Sequence, residues 1–395
     1  MSEFTFELIK IDPYECSIEE LEKEIKRLKD IKEEYFNLEQ SIKIFINSVY
    51  GACASPFFVG YNIHVAEAVT LQGQDLIKYA NQVLDEYFTT MWHEDKELHE
   101  QLGLTYVNKI AEKSVVVYND TDSTYITFDP LLKSCDAPTE RREIIDFILK
   151  IKDIRLNKYL SEKFASYAEE RNTEDLQNLE LEKIAYSALM MAKKKYVLDT
   201  AWKDPGVYFD MQQKISPTGV EIVQGSTPKF ARKVLKEMLN ILFAKGKGLE
   251  YGDIVKKLKQ YKEEFILQDP DDISKTVSIG DYEKYVADDR HEIVLRDKCP
   301  INVRAASIYN NMLFNTKWKS KYNLIKTGDK IKHYYAKGNH DVFGFLPGDY
   351  PYEFAPNVDY DRQFEKTIVE PFNRFIEPLG FNPVPGNLIY AKSLF

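Results

Sequence analysis

The sequence predicts an α+β protein in which helical and strand-forming stretches come in separate runs. Three observations carry this. Residues 18–59 show apolar side chains three and four apart in a Glu-, Lys- and Leu-rich background, with no Pro or Gly before Gly51. Residues 115–128, VVVYNDTDSTYITF, set two β-rich runs around a polar tip. Residues 184–200, IAYSALMMAKKKYVLDT, read as strands, YVLDT most clearly.

In chain order, Pro13 and Ser17 supply a start for the first helix. A second helix is expected over 64–90, then the hairpin around 114–128, then a charged, mostly helical stretch over 139–178. After the strands of 184–200, helix returns at 226–265. From 266 onward the pattern is mixed, with loops at GDYEKY, KGNHD and PGDYPYEFAPNVDYD and a helix at 359–379. There is no internal repeat and no low-complexity linker.

With 395 residues the chain is long enough for two or three domains and a sizeable core. A hydrophobic fraction of 44% places it among globular rather than disordered chains. Its 4 cysteines, at 16, 53, 135 and 299, form no CxxC pair, which argues against a zinc knuckle or disulfide scaffold and for a reduced, cytoplasmic setting. No apolar run approaches the length of a membrane span, and MSEFTFELIKIDPYE lacks the regions of a signal peptide. The net charge of −10 opposes nucleic-acid binding only on average. Residues 226–262 hold nine Lys and one Arg against three acids, a basic island that a solvated helical surface would also explain.

The tip Asp120-Thr121-Asp122 is the first candidate site. A turn accounts for Asn119 and one Asp, since both residue types bond their own backbone. It does not account for a second carboxylate one residue on. An EF-hand loop is excluded, because its sixth position would be Tyr125 and no Glu stands at the twelfth. A magnesium site remains: Mg²⁺ takes one or two carboxylates with water and phosphate oxygens, and a stiff hairpin holds them at a fixed height. Two-metal phosphoryl transfer would require a further carboxylate from another segment.

A second candidate lies in KIFINSVYGA, residues 43–52. On a helix Lys43, Asn47 and Tyr50 share one face, and Gly51 beside them admits a close approach to the backbone. A cation, an amide and an aromatic ring in one row suit a nucleotide's phosphates, polar edge and base. An ordinary amphipathic helix can show the same row, with Ile44, Ile46 and Val49 turned toward the protein. Two smaller signals are set aside. HEDKELH (93–99) has its histidines too far apart for HExxH and reads as a solvated stretch; His333 and His340 read as surface or structural.

Taken together, K-x-x-x-N-S-x-Y-G followed by Y-x-D-T-D-S resembles family B DNA polymerases. Lys43, Asn47, Ser48, Tyr50 and Gly51 match the family's fingers motif; Tyr118, Asp120, Thr121, Asp122 and Ser123 match its palm motif. Lys193-Lys194-Lys195-Tyr196 is similar to the K-K-R/K-Y motif. GVEIVQGSTPK (219–229) and CPINVRAASIYNN (299–311) resemble thumb segments of the T-even-type bacteriophage members. The resemblance runs from about residue 18 to the C-terminus.

It implies a right-hand polymerase fold: partial fingers over 1–60, a palm with an antiparallel sheet over 61–222 and a helix-rich thumb over 223–395. It implies that Asp122 binds two catalytic Mg²⁺ ions with Asp120 close by, that Lys43 meets the dNTP triphosphate and protonates departing pyrophosphate, that Asn47 holds the triphosphate, and that Tyr50 and Gly51 lie near the nascent base pair. Tyr118, Thr121, Ser123, Lys193, Lys194, Lys195, Tyr196, Lys229 and Arg232 would touch primer-template DNA.

The family's D-x-x-S-L-Y-P motif, with the partner Asp, is absent from residues 1–42, and so is its first fingers helix: Arg27 sits among acids. The expectation is therefore the C-terminal part of a split polymerase, inactive until joined by a separate polypeptide carrying the exonuclease, the other palm Asp and the first fingers helix. The tail LIYAKSLF resembles a clamp-docking peptide, or else packs on the thumb. A non-catalytic DNA- or clamp-binding subunit is the rival reading. An RNA-templated polymerase fits less well, because those palms carry Y-x-D-D.

Overall fold

The computed structural model describes residues 10–12, 14–209, 212–287, 290–293 and 298–390. Along the chain run α1 (Ile18–Cys53), α2 (Ile63–Glu86), α3 (Lys96–Leu102), β1 (Val116–Asp120), β2 (Ser123–Ile126), α4 (Asp129–Ser134), α5 (Arg141–Ile151), α6 (Asn157–Glu170), β3 (Lys183–Ala192), β4 (Lys195–Lys203), β5 (Val207–Tyr208), β6 (Lys214–Thr218), α7 (Lys229–Lys245), α8 (Tyr251–Phe265), β7 (Lys275–Ser278), α9 (Ile301–Phe314), β8 (Lys330–Tyr335), β9 (Val342–Phe345), α10 (Tyr360–Phe364) and α11 (Glu370–Ile376), with shorter helical turns between. Mixed helix and antiparallel sheet make this an α+β chain. It divides into two compact units, one up to residue 137 together with 158–175, the other 138–157 together with 176 onward.

In the first unit, α1 begins at a capping box: Ser17 Oγ accepts from the Glu20 amide and the Glu20 carboxylate accepts from the Ser17 amide. Pro13, the other residue of the expected start, lies outside the described residues. The helix stops at Cys53 rather than reaching 59. Pro56 is the reason, since its ring disfavours helical backbone at Ser55. Asn62 then caps α2, its side chain accepting from the His64 and Val65 amides. Over its 36 residues α1 has one buried side chain among the described ones, Glu24, which accepts from Arg27. Ile44, Ile46 and Val49, expected to face the protein, are exposed.

The core of this unit lies further on, where Ala80, Val83 and Leu84 of α2 are buried with Tyr87, Phe88 and Trp92. Helix α6 packs beside α2: the Tyr79 and Tyr167 rings are 4.7 Å apart, and Tyr167 donates to Asp75 at 2.5 Å. The reading of residues 93–99 as solvated is corrected here. Leu98 is fully buried, and the buried His99 places Nε2 2.7 Å from the Trp92 carbonyl. A seven-residue helix is too short for its inner face to show as periodicity in the sequence.

In the second unit β4 is the central strand of an antiparallel sheet, with β3 on one side and β5 and β6 sharing the other. Helix α5 lies along it, Arg141 over the Tyr186 ring and Arg142 over that of Tyr208. The expected helix over 226–265 is two helices, because Gly246, at φ +50°, ends α7. A second sheet, β7-β8-β9, supports α9. At Gly344 of β9 a Cβ would stand 3.0 Å from the Ala305 carbonyl carbon, so helix and strand meet backbone to backbone. Tyr334, Phe343 and Phe345 of this sheet, Tyr309 of α9, and Phe265 and Phe364 form a fully buried aromatic core.

His333 is a structural rather than a surface residue, 7% exposed and paired in register with Lys275. Its Nδ1 makes no hydrogen bond to the described residues. Burial, and then the neighbouring Lys275 charge, pull its pKa down to about 4.

Candidate polymerase site

The acidic tip is a tight turn on a regular hairpin. β1 and β2 pair with Tyr118 opposite Tyr125, Asn119 opposite Thr124 and Asp120 opposite Ser123. That leaves Thr121 and Asp122 to turn the chain. Thr121 adopts φ +55°, which β-branched residues avoid. The Asp122 amide donates to the Asp120 carbonyl at 2.6 Å, an i to i+2 bond of the kind seen in γ-turns. Thr121 Oγ1 donates to Asp120 Oδ1 at 3.1 Å, and Ser123 Oγ to the Asp120 carbonyl at 3.2 Å. A strained residue therefore sits between the two carboxylates and fixes their spacing. Asp122 is exposed and Asp120 half-buried. Cross-strand partners share a face, so Asp120 and Ser123 lie alongside the Tyr118 and Tyr125 rings, which are 5.4 Å apart.

Helix α2 holds this hairpin through two residues one turn apart. The Asp85 carboxylate accepts from Ser114 Oγ at 2.8 Å and from the Val115 and Val116 amides at 2.7 and 3.3 Å, just where β1 begins. Asn81 Oδ1 accepts from Thr124 Oγ1 of β2 at 2.8 Å. Phe88 meets Phe128 edge to face at the hairpin base. Neither Asp85 nor Asn81 was among the residues singled out from the sequence. Their i, i+4 spacing on a predicted helix was the only available signal, and many solvated helices carry it.

On α1 the other candidates are aligned as their spacing predicts. Lys43, Asn47 and Tyr50 are exposed on consecutive turns, and a Cβ at Gly51 would meet nothing within 4 Å. Ser48 is engaged locally, its hydroxyl donating to the Phe45 carbonyl at 2.7 Å. Lys43, Asn47 and Tyr50 thus lie on one open helix face, and Asp120, Thr121 and Asp122 on one hairpin tip, within the same unit.

The Lys193–Tyr196 row belongs to the second unit. Lys193 and Lys194 form the exposed turn between β3 and β4; Lys195 and Tyr196 are half-buried at the start of β4. In the basic island Lys229 pairs with Asp272 at 3.2 Å, and Arg232 donates to the Thr227 carbonyl at 3.1 Å. Lys262 does not belong to a solvent-facing basic surface. It is turned inward against Asp361 at 2.7 Å, and burial lowers its pKa.

Among the described residues no three His, Cys, Asp or Glu side chains come together as a metal site. The tip offers Asp120 and Asp122 alone, which fits a Mg²⁺ ion completed by water, phosphate oxygens and a carboxylate from elsewhere. No helix among the described residues is long and apolar enough to cross a membrane. The tail peptide's last residues, 391–395, lie outside the described residues.

Parts of the chain are similar in sequence to known DNA polymerases. Residues 19–135 match the sequence profile of DNA polymerase family B. The DNA-directed DNA polymerase of Enterobacteria phage T4 is 24% identical over 365 residues, 86% of this chain. That of Escherichia phage RB69 is 27% identical over 215 residues, 52% of this chain, and the DNA polymerase delta catalytic subunit of Dictyostelium discoideum is 21% identical over 87% of it. The chain spans 37%, 22% and 26% of these three relatives respectively. The matched residues 19–135 contain Lys43, Asn47, Tyr50, Asp120 and Asp122, so the part of the chain similar to DNA polymerase family B is the part that carries both candidate motifs, in a chain similar at low identity to the T4 and RB69 polymerases.

Proposed function

We propose that this chain supplies the second fingers helix, the acidic palm hairpin and the thumb of a T-even-type DNA polymerase, extending a primer 3′-hydroxyl with dNTPs on a DNA template. The observation that carries the reading is the pairing, in one unit, of the exposed Lys43-Asn47-Tyr50 face with the Asp120-Thr121-Asp122 tip. Asp122, with Asp120 beside it, would hold Mg²⁺. Two Mg²⁺ ions held there would supply electrostatic stabilisation of the attacking and departing oxygens in phosphoryl transfer. Lys43 neutralises triphosphate charge and stands ready to protonate pyrophosphate. Asn47 donates to a phosphate oxygen, and Tyr50 and Gly51 frame the nascent base pair. Tyr118, Thr121 and Ser123 line the primer end. The Lys193–Tyr196 turn, with Lys229 and Arg232, holds the duplex backbone by contacts that are independent of sequence and sensitive to salt.

Among the described residues no third acidic side chain joins the tip, and the remaining carboxylate is taken to come from a separate polypeptide that also carries the exonuclease. The surface of α1 supports a covering element. Tyr35, Leu38, Ile42, Phe45 and Val49 recur at alternating spacings of three and four and are all exposed, a helix-packing seam with no cover among the described residues. The C-terminal tail is kept as a clamp-binding peptide. Its removal at Ser393–Phe395 should lower processivity with clamp while leaving basal extension intact.

Primer extension by the chain copurified with its native partner tests the reading. Asp122→Asn should lower the rate by at least about 10²–10³-fold, as losing a preorganised transition-state stabiliser does, with unchanged thermal stability. If extension is indifferent to the substitution, the chain is a non-catalytic binding subunit. If the chain extends primers alone, the partner requirement fails.

A further inference from the structure

The segment between β6 and α7 does more than connect them. Gly219 adopts φ +66°, and a Cβ there would stand 1.9 Å from the carbonyl oxygen of Lys194 and 3.0 Å from its carbonyl carbon. Backbone therefore lies directly on backbone, and no other residue can occupy the position without moving the turn. Lys194 is itself at φ +62°, in the region that residues with a Cβ visit at a cost. The strained centre of the Lys193–Lys195 turn is thus supported from outside by Gly219. Gly219 is in turn fixed, its carbonyl accepting from Gln224 Nε2 at 3.2 Å and Val220 next to it fully buried.

Two residues on, Glu221 opens a short helical turn and bears one carboxylate with two cationic partners. Arg374 of α11 donates to it in a short ion pair, and Lys195 Nζ stands 3.9 Å from the same oxygen. The Glu221 side chain is 13% exposed, against 39% for Lys195 and 55% for Arg374. A mostly buried carboxylate so held has little rotational freedom, whereas a lysine facing solvent has much. Glu221 accordingly orders Lys195 rather than the reverse.

We propose that Gly219 and Glu221 are positioning residues for duplex binding: Gly219 holds the Lys193–Lys195 turn in its strained form, and Glu221, fixed by Arg374, aims the Lys195 ammonium. The inference rests on the reading of Lys193–Tyr196 as a grip on the primer-template backbone. Pre-ordering a lysine reduces the freedom it loses when it meets a phosphate, so the grip is stronger than that of a loose chain of equal charge.

The test is the affinity of the full chain for a fluorescent primer-template duplex, measured by anisotropy between about 50 and 200 mM salt. Glu221→Asp is the informative variant, because it keeps the charge and withdraws the carboxylate by one methylene. It should weaken binding about three- to tenfold and reduce the slope of log affinity against log salt by about 0.9, the value of one phosphate contact on B-DNA. Lys195→Ala should do the same. In the Lys195→Ala background Glu221→Asp should have no further effect, which a general structural role would not produce. Gly219→Ala should weaken binding more, and where it unfolds the chain the Glu221 cycle still decides. Unchanged affinity in Glu221→Asp, or losses that add in the double variant, overturn the positioning role and leave the basic row intact. No effect of Lys195→Ala overturns the duplex-grip reading itself, and the positioning role with it.

Discussion

The helix α1 and the sheet β7-β8-β9 with α9 bury their apolar residues to opposite extents. In α1 Phe45 is 71% exposed and the one buried side chain among those described is a glutamate. In the sheet every residue of β9 is buried, and Phe343 is at 0%. Both stretches are apolar, and both form regular structure. The difference teaches that regular structure and burial are separate outcomes: among the described residues the apolar side chains of α1 stay uncovered, whereas the sheet completes its own core. Helix formation is local and needs no partner once capped and long, but apolar burial needs a surface to bury against.

Substitutions can break or sharpen this contrast. The largest effect should come from Phe343→Ala, which opens a cavity in a closed core and should cost about 3–5 kcal/mol in chemical denaturation of the second unit. A loss under about 1 kcal/mol would mean that this core is loosely packed.

Next comes His333, which belongs to the same core. Its folded-state pKa of about 4 lies below the ordinary 6.5. Stability from keeping it neutral is therefore complete above pH 6.5 and lost as pH falls toward 4, because the unfolded chain binds the proton more readily. Full loss is on the order of 3 kcal/mol. His333→Phe should flatten the stability profile between those pH values, and a profile identical to wild type would remove His333 as its origin.

Asp85→Ala should cost about 1–3 kcal/mol in the first unit by leaving the amides at the base of β1 without their acceptor. If the proposed polymerase reading holds, it should also slow primer extension by the complex, since the acidic tip loses its anchor to α2. Extension at the wild-type rate would show that the tip is rigid without Asp85. The smallest effect on the isolated chain should be Phe45→Ala, within about 0.5 kcal/mol. The same variant should weaken association with the proposed partner polypeptide; equal association would show that the seam is not where such a partner docks.

Several features were legible without coordinates. Ser17 announced the start of the first helix, which begins at Ile18. The two β-rich runs around Asp120-Thr121-Asp122 formed the hairpin, and Lys43, Asn47 and Tyr50 fell on one face. Each of these depends on neighbours within a few positions of the chain, where periodicity and capping chemistry act. Other features were not legible. Asp85 reaches across 30 residues to the Val115 amide, Glu221 across 153 to Arg374, and Lys195 meets Glu221 only because β6 pairs with β4. His99 and Leu98 look solvated in a charged string and are buried.

The sequence by itself determined the elements, their caps and the two motif-bearing faces, because backbone hydrogen bonding and side-chain periodicity are local. Tertiary structure alone decided which polar groups support the tip and the Lys193–Lys195 turn, and which apolar residues are left uncovered. Burial and long-range pairing depend on where the chain returns in space, and no short window of residues encodes that return.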